Sequence, residues 1–469
     1  MKHFSLSLTE GPIGKQLLSF TIPLILGNLF QQLYNAADTV IVGQFVGDTA
    51  LAAVGSSSSL IELLISLFMG IGIGAGVIIS RYYGAGDMDA MSRTIHTTVA
   101  AGVASGVVLS LLGVLTTPLL LQWMGTPDNV LPQSILYFRI YFCGVLFTVL
   151  YNFGSSIFRA LGDSKRPLYY LIFSSFTNVV LDLLFVAVFR WGVAGAATAT
   201  VLSNALSVVL VFYKLCTEDG PQRLYLRRLR LDKPYLLQVI RIGLPSGLQN
   251  AVVSLSNVVI QSGINGFGDL AMAGCAAYRK IEGFALMSSG SFSMSLSTFI
   301  SQNMGAGKKD RAKRGANIGL LMTMGIVVVI SIFIFVLAPL LVEIFTDDPV
   351  VMDYGVAMAR TIVPFYFLVA YSHGMGGILR GAGLAKVPMF VMMFCWCVFR
   401  VIWIQVAGAL IHDIHVVFVA YPITWAITAS FHILFFLFVR KRAYARVRSH
   451  GSPSEEAAGA GRPAVRTEE

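Results

Sequence analysis

Two carboxylates, an amide and a hydroxyl lie inside long apolar runs, where such side chains are costly to place. Asp38 falls in the run 17–42, Asn178 and Asp182 in the run 167–189, and Thr200 in the run 193–213. Read as helices, these runs align their polar groups. Asn28, Gln31, Asn35 and Asp38, at spacings of 3, 4 and 3, share one face. Ser174, Asn178 and Asp182 share another, and Thr200, Ser203, Asn204 and Ser207 a third. Asp38 then sits roughly 7 Å inside the outer end of its helix, and Asp182 and Thr200 roughly 10 Å inside theirs. Two carboxyl groups at one buried level oppose each other's ionisation, so the pair is expected to hold a proton or recruit a small cation. Neither acid has an evident basic partner in the midsection of the first six runs. The plainer reading is that both only hydrogen-bond neighbouring helices.

The elements that position these groups must be membrane helices. Of 469 residues, 56% are hydrophobic and 12% charged, the latter about half the ~25% usual in soluble proteins. A cytosolic enzyme, a secreted domain and a disordered chain are thereby excluded. Apolar runs fall at 17–42, 52–80, 94–120, 132–158, 167–189 and 193–213, then at 236–263, 270–300, 315–340, 352–379, 388–411 and 415–439. Each is long enough to cross ~30 Å of hydrocarbon as a helix. The ten-residue alternating segments of a membrane β-barrel do not occur. The five cysteines lack metal-ligand spacing, and Cys395-x-Cys397 reads as packing rather than redox chemistry. No short apolar core with a small-residue cleavage site opens the chain, so the first run is expected to be a retained span.

Alternate connections carry 27 of the 34 Lys and Arg residues, six lie within runs, and Arg190 alone lies on the opposite side. The positive-inside rule then places both termini in the cytoplasm, with the chain in the cytoplasmic membrane. The basic segments also repeat. Ser80-x3-Gly84-Ala85-Gly86-x2-Asp89 recurs as Ser301-x3-Gly305-Ala306-Gly307-x2-Asp310, an offset of 221 residues. Arg159-x2-Gly162-x2-Lys165-x-Pro167 recurs as Arg380-x2-Gly383-x2-Lys386-x-Pro388 at the same offset. Six spans per repeat is even, so the halves share one orientation. The expected architecture is an all-α polytopic membrane protein of twelve transmembrane helices in two parallel-repeat six-helix bundles. Residues 1–213 form the first bundle, 214–234 a basic linker, 235–440 the second bundle and 441–469 a disordered tail.

The second half lacks the paired acids, since Asp38 maps at that offset to Val259, Asp182 to Trp403 and Asn178 to Phe399. Glu62 and Glu282 fall near the midplane of the second and eighth runs. Arg279, one turn from Glu282, is placed to neutralise it, and Arg400 lies at a similar depth. Glu62 has no such neighbour in sequence and is the better candidate to meet a cationic substrate. Tyr34, one turn before Asp38, offers an aromatic face to an organic cation, and Gln31 and Asn35 share the polar face leading to it. Pro23 and Pro245 interrupt the first helix of each half.

With these features the chain resembles the multidrug and toxic compound extrusion (MATE) family of cation-coupled antiporters. The segments that carry the resemblance are Y-N-A-A-D-T-V-I-V-G (34–43), Y-Y-G-A-G-D (82–87), R-A-L-G-D-S-K-R-P (159–167) and the Asn178/Asp182 pair. The acid in the first helix makes it most similar to the DinF-like branch. The resemblance implies that Asp38, Asn178, Asp182 and Thr200 form the H+ or Na+ site of the amino-terminal lobe. It implies export of organic cations or other amphipathic compounds by alternating access, with Pro23 and Pro245 as hinge candidates and Tyr34, Asn35, Gln31, Glu62 and Glu282 as substrate-cavity candidates. Beyond the coupling ion no cofactor is expected. The partners are small molecules and membrane lipid, with no nucleic acid, and a monomer is expected. The alternative is a lipid or polysaccharide-precursor flippase of the related superfamily. An intramembrane enzyme would need catalytic groups on long surface loops, and the outer loops are short and nearly uncharged.

The charge bias makes a direct prediction. Single cysteines at Asp269 or Asp348 should react with an impermeant maleimide on intact cells, while cysteines at Asp89, Arg228 or Lys309 should react only after permeabilisation. Labelling at Arg228 from outside would overturn the orientation.

Overall fold

The computed structural model describes the backbone of residues 7–123, 126–411 and 413–443. It describes their side chains except at 48–49, 51–53, 55–64, 67, 409 and 438–443. Twelve helical columns account for nearly all of it. The first half comprises α1 (Ile13–Phe45), α2 (Asp48–Ala85), α3 (Met88–Trp123), α4 (Leu131–Ala160), α5 (Lys165–Val188) and α6 (Val193–Thr217). The second comprises α7 (Lys233–Asn265), α8 (Asp269–Gly305), α9 (Lys309–Glu343), α10 (Pro349–Gly381), α11 (Lys386–Gly408) and α12 (Ile414–Ala443). The proposed tail therefore begins inside α12, and its residues 444–469 lie outside the described residues. Among the described residues, nine of these columns are long and apolar enough to cross a membrane.

The helices of the basic end outrun the apolar sequence by about one turn, and the repeated motifs explain why. Each ends at a glycine in the left-handed region, where a side chain would strain the backbone: Gly86 (φ 74°), Gly307 (φ 71°), Gly162 (φ 88°) and Gly383 (φ 86°). After Gly162, Asp163 accepts from the backbone N–H groups of Lys165 and Arg166, both at 3.1 Å, and pairs with the Arg166 guanidinium at 3.0 Å. Burial pushes the Asp163 carboxyl above its ordinary value, opposed by these donors and the Arg166 charge. Arg166 also holds Glu218 at the end of α6 (3.0 Å), which ties the linker to the first bundle. The linker is ordered: its Leu224 is buried, and Tyr225 donates its N–H to His96 of α3 at 3.1 Å.

The two halves meet along α2, α7 and α8, and at the basic end their backbones touch. A Cβ added at Gly70 would lie 2.2 Å from the Gly247 nitrogen, and one at Gly74 2.4 Å from the Val239 carbonyl oxygen. Closer to the basic end the contacts come in symmetry-related pairs. Gly84 packs on the Gln302 carbonyl and Gly305 on the Arg81 carbonyl, each with 2.0 Å to a hypothetical Cβ. Gln302 donates to the Ala160 carbonyl (2.8 Å), and Arg81 donates to the Gly381 carbonyl (3.4 Å). Arg81 and Gln302 are 221 residues apart, as are Ala160 and Gly381, so each half clasps the other with equivalent positions. Toward the opposite end, residues 31–33, 35 and 36 of α1 and Leu255, Asn257 and Val258 of α7 are exposed. The close backbone contacts of the two halves thus hold the basic end shut.

No side chain fits those glycine contacts without separating the helices. Gly84→Val together with Gly305→Val should lengthen the distance between spin labels at Asp89 and Asp310, read by double electron–electron resonance. An unchanged distance distribution would show that the clasp does not hold this end shut.

Candidate functional site

The three polar faces expected from the sequence converge inside the first bundle. Asn178 and Asp182 are fully buried, and Asp38 and Thr200 are 8% and 5% exposed. With its amide oriented to satisfy both neighbours, Asn178 donates to Asp182 Oδ2 at 2.8 Å and accepts from the Thr200 N–H at 3.3 Å. The Asp38 and Asp182 carboxyl groups approach closely enough to share a hydrogen bond. Oδ1 of each has no protein partner. Among the described residues neither carboxyl group forms an ion pair with Lys, Arg or His. Two carboxyl groups in contact and away from water cannot both stay charged without a proton between them or a cation on their oxygens. The donor set is all oxygen: two carboxyls, an amide and a hydroxyl. Such a set accommodates H+ or a hard cation equally.

Local structure places Asp182. It is the last α-helical residue of α5 before the π-helical turn Leu183–Val188, a break in the usual hydrogen-bond register. The chain then reverses through Arg190 (φ 58°) and Gly192 (φ 59°), packed by Phe185, Phe189 and Trp191 with ring centroids 4.9–6.1 Å apart. Nothing in the apolar run 183–188 announces the π turn. Tyr34 lies within hydrogen-bonding reach of Thr200 beside Asp38, as its spacing predicts. Tyr137 and Tyr141 of α4 complete this wall, stacked 6.4 Å apart, and sequence reasoning passed over them. Their i, i+4 spacing was the available signal.

The other candidates divide. Gln31 and Asn35 are exposed on the outer stretch of α1. Asn28 of the same polar face instead donates to Ser291 of α8 at 3.1 Å, across the two halves. Glu62 lies on α2, but its side chain is outside the described residues. Glu282 is 8% exposed and turned into the second bundle. Arg279, expected to neutralise it, instead hydrogen-bonds Gln261 of α7. Pro23 and Pro245 are buried within α1 and α7. Arg139 and Arg360 are exposed. His373 contacts Ser289 at 3.1 Å, so it joins two helices.

The family model MatE matches residues 23–184 and 245–404, one match in each half. The chain is 29% identical over 444 residues to the probable multidrug resistance protein YoeA of Bacillus subtilis, spanning 92% of this chain and 95% of that one. Over 393 residues it is 29% identical to the probable multidrug resistance protein YpnP of the same organism, covering 84% and 88%. It is 26% identical over 436 residues to the FAD transporter of Shewanella oneidensis, covering 89% and 93%. Among solved structures, a MATE protein in a bent conformation superposes with a TM-score of 0.88 at 23% identity, over 96% of this chain and all of that one. A transporter of the MOP superfamily from Pyrococcus furiosus superposes with 0.87 at 23% identity, over 96% and 99%. Two family matches in the right halves, relatives spanning the full bundle pair and a shared twelve-helix fold converge on one assignment: the chain belongs to the MatE family of membrane transporters.

Proposed function

We propose that the protein exports amphipathic or cationic small molecules across the cytoplasmic membrane in exchange for H+ or Na+, with both termini in the cytoplasm. The observation that carries the reading is the contact between Asp38 and Asp182, which demands a proton or a cation. The pocket opens on α1, whose outer stretch with Gln31 and Asn35 lines the space between the halves. That space is the natural place for a flat apolar cation, with the aromatic ring of Tyr34 as a partner on α1. The names of the relatives, multidrug resistance and export proteins, support a substrate class of this kind.

Exchange follows from differential affinity. Occupying the carboxyl pair neutralises it and draws α1 toward α5 and α6. An unoccupied, charged pair repels itself and loosens that packing. Because α1 also touches α8 through Thr21–Ser295 (2.7 Å) and Asn28–Ser291 (3.1 Å), its position affects both the pocket and the seam between the halves. Pro23 lies between those two contacts, where the missing N–H lets α1 bend cheaply. Transport then cycles between the state shut at the basic end and one shut at the other.

Transport of ethidium in proteoliposomes with imposed pH or Na+ gradients tests this reading. Asp38→Asn and Asp182→Asn should each leave the protein in the membrane and reduce gradient-driven movement at least tenfold, because an amide cannot cycle between charged and neutral forms. Thr200→Ala should do less, since it removes one oxygen and no charge. Gln261→Ala, in the second bundle, should do less still. Full transport by Asp38→Asn at normal protein levels would return the pair to helix packing. Movement of a fluorescent lipid analogue without ethidium transport would favour the flippase reading.

A further inference from the structure

The second bundle buries charges of its own at the place corresponding to the carboxyl pocket. Arg400 is fully buried, and its neighbours are the 221-residue counterparts of first-bundle residues around Asp38 and Asp182. It donates to Ser256 of α7 at 2.7 Å and Thr424 of α12 at 2.6 Å, the counterparts of Asn35 and Ser203. Its guanidinium lies 5.0 Å from the ring of Tyr421, the counterpart of Thr200, and 4.6 Å from that of Trp396. Like Asp182 it adjoins a π-helical turn, Met393–Phe399. The second bundle thus sets a cation among counterparts of first-bundle residues, at the position corresponding to Val179, one turn from that of Asp182.

Glu282 faces this pocket from α8. One carboxyl oxygen lies within hydrogen-bonding reach of Tyr366 of α10, whose hydroxyl bonds that of Tyr278 at 2.5 Å. The other, Oε1, has no partner. Among the described residues Glu282 forms no direct ion pair with Arg400 or Arg279. Both guanidiniums are otherwise engaged, Arg400 with two hydroxyls and Arg279 with Gln261. Arg400 Nε is unpartnered as well. The ionisable groups around Glu282 are Tyr278 and Arg279 of α8, Tyr366 of α10, Arg400 of α11 and Tyr421 of α12, with Cys275 and Cys395 behind them. An ionised carboxylate this buried, with one oxygen unbonded, would be poorly compensated. A neutral carboxylic acid accepting from Tyr366 fits the observed geometry.

We propose that Glu282 is a second exchangeable-proton site, in which the proton and Arg400 are alternative partners of one carboxyl group. In the conformation shut at the basic end Glu282 carries the proton and Arg400 is held by Ser256 and Thr424. A movement of α8 that carries Glu282 to Arg400 brings the two into direct contact. The O–H bond of Glu282 then breaks, its proton passes to water in the opened space, and a carboxylate–guanidinium pair forms; the return step reverses each change. No other reactant is consumed. Because α8 also carries Gln302 and Gly305 of the clasp, this exchange is mechanically tied to the opening of the basic end.

The test is infrared difference spectroscopy of the full chain in lipid nanodiscs, following the carboxylic-acid C=O band on alkalinisation. The Asp38→Asn/Asp182→Asn double variant removes the first-bundle carboxyl groups and should retain one such band. Adding Glu282→Gln should abolish it, and Glu282→Asp, the control against misfolding, should keep it at a shifted frequency. In Arg400→Gln the band should persist into more alkaline buffer than in the parent, because the carboxylate has lost its partner. A double variant with no acid band, or a band indifferent to Glu282→Gln, overturns the proposal and leaves the transport reading standing. Loss of gradient-driven ethidium movement alone bears on that reading and not on this one.

Discussion

The structure depends on backbone contact between the halves at the basic end. Helices that carry side chains there would stand 8–10 Å apart; glycines at 70, 74, 84, 243, 247 and 305 remove that spacing. Dispersion over such a seam is strong per unit length, and the paired donations of Arg81 and Gln302 satisfy carbonyls at the ends of α4 and α10. The closest of these contacts, at Gly84 and Gly305, lie at the basic end. The exposure of α1 and α7 away from the seam is a geometric consequence of where the glycines are.

The seam is not symmetric along its whole length. Where α2 meets α7 through Gly70 and Gly74, the equivalent meeting of α8 with α1 is made by Ser291 and Ser295. Glycine contacts hold through packing and break only by separation. Hydroxyl contacts can exchange partners, as Ser291 and Ser295 also bond within α8. The mobile side of the seam is thus the side that carries Asp38, and the rigid side carries the second bundle's first helix.

Much of this was legible in the sequence because it rests on periodicity. Twelve apolar runs, a 221-residue repeat and three polar stripes follow from helical spacing alone, and the stripes of α1, α5 and α6 do converge. Spacing within one helix could not say which neighbour a side chain would choose. Arg279 is one turn from Glu282 yet reaches Gln261 on another helix. Asn28 shares a face with Asp38 yet holds the opposite half. Tyr137 and Tyr141 lie on α4, whose own spacing does not say that they stand beside the carboxyl pair. The π turns beside Asp182 and Arg400 fall in apolar stretches with no turn residue to mark them.

The repeat gives the charge inversion its meaning. Duplication supplies two related helix sets, and Asp182 precedes a π turn in one while Arg400 follows a π turn in the other. In the proposed cycle an acid pair in the first recruits positive charge from outside the protein. In the second, an arginine with a nearby glutamic acid contains both signs already, so its charge balance is altered by rearrangement rather than by binding. On that proposal one pocket would respond to ion concentration and the other to conformation, and helices α1 and α8, in contact through Thr21–Ser295 and Asn28–Ser291, connect them.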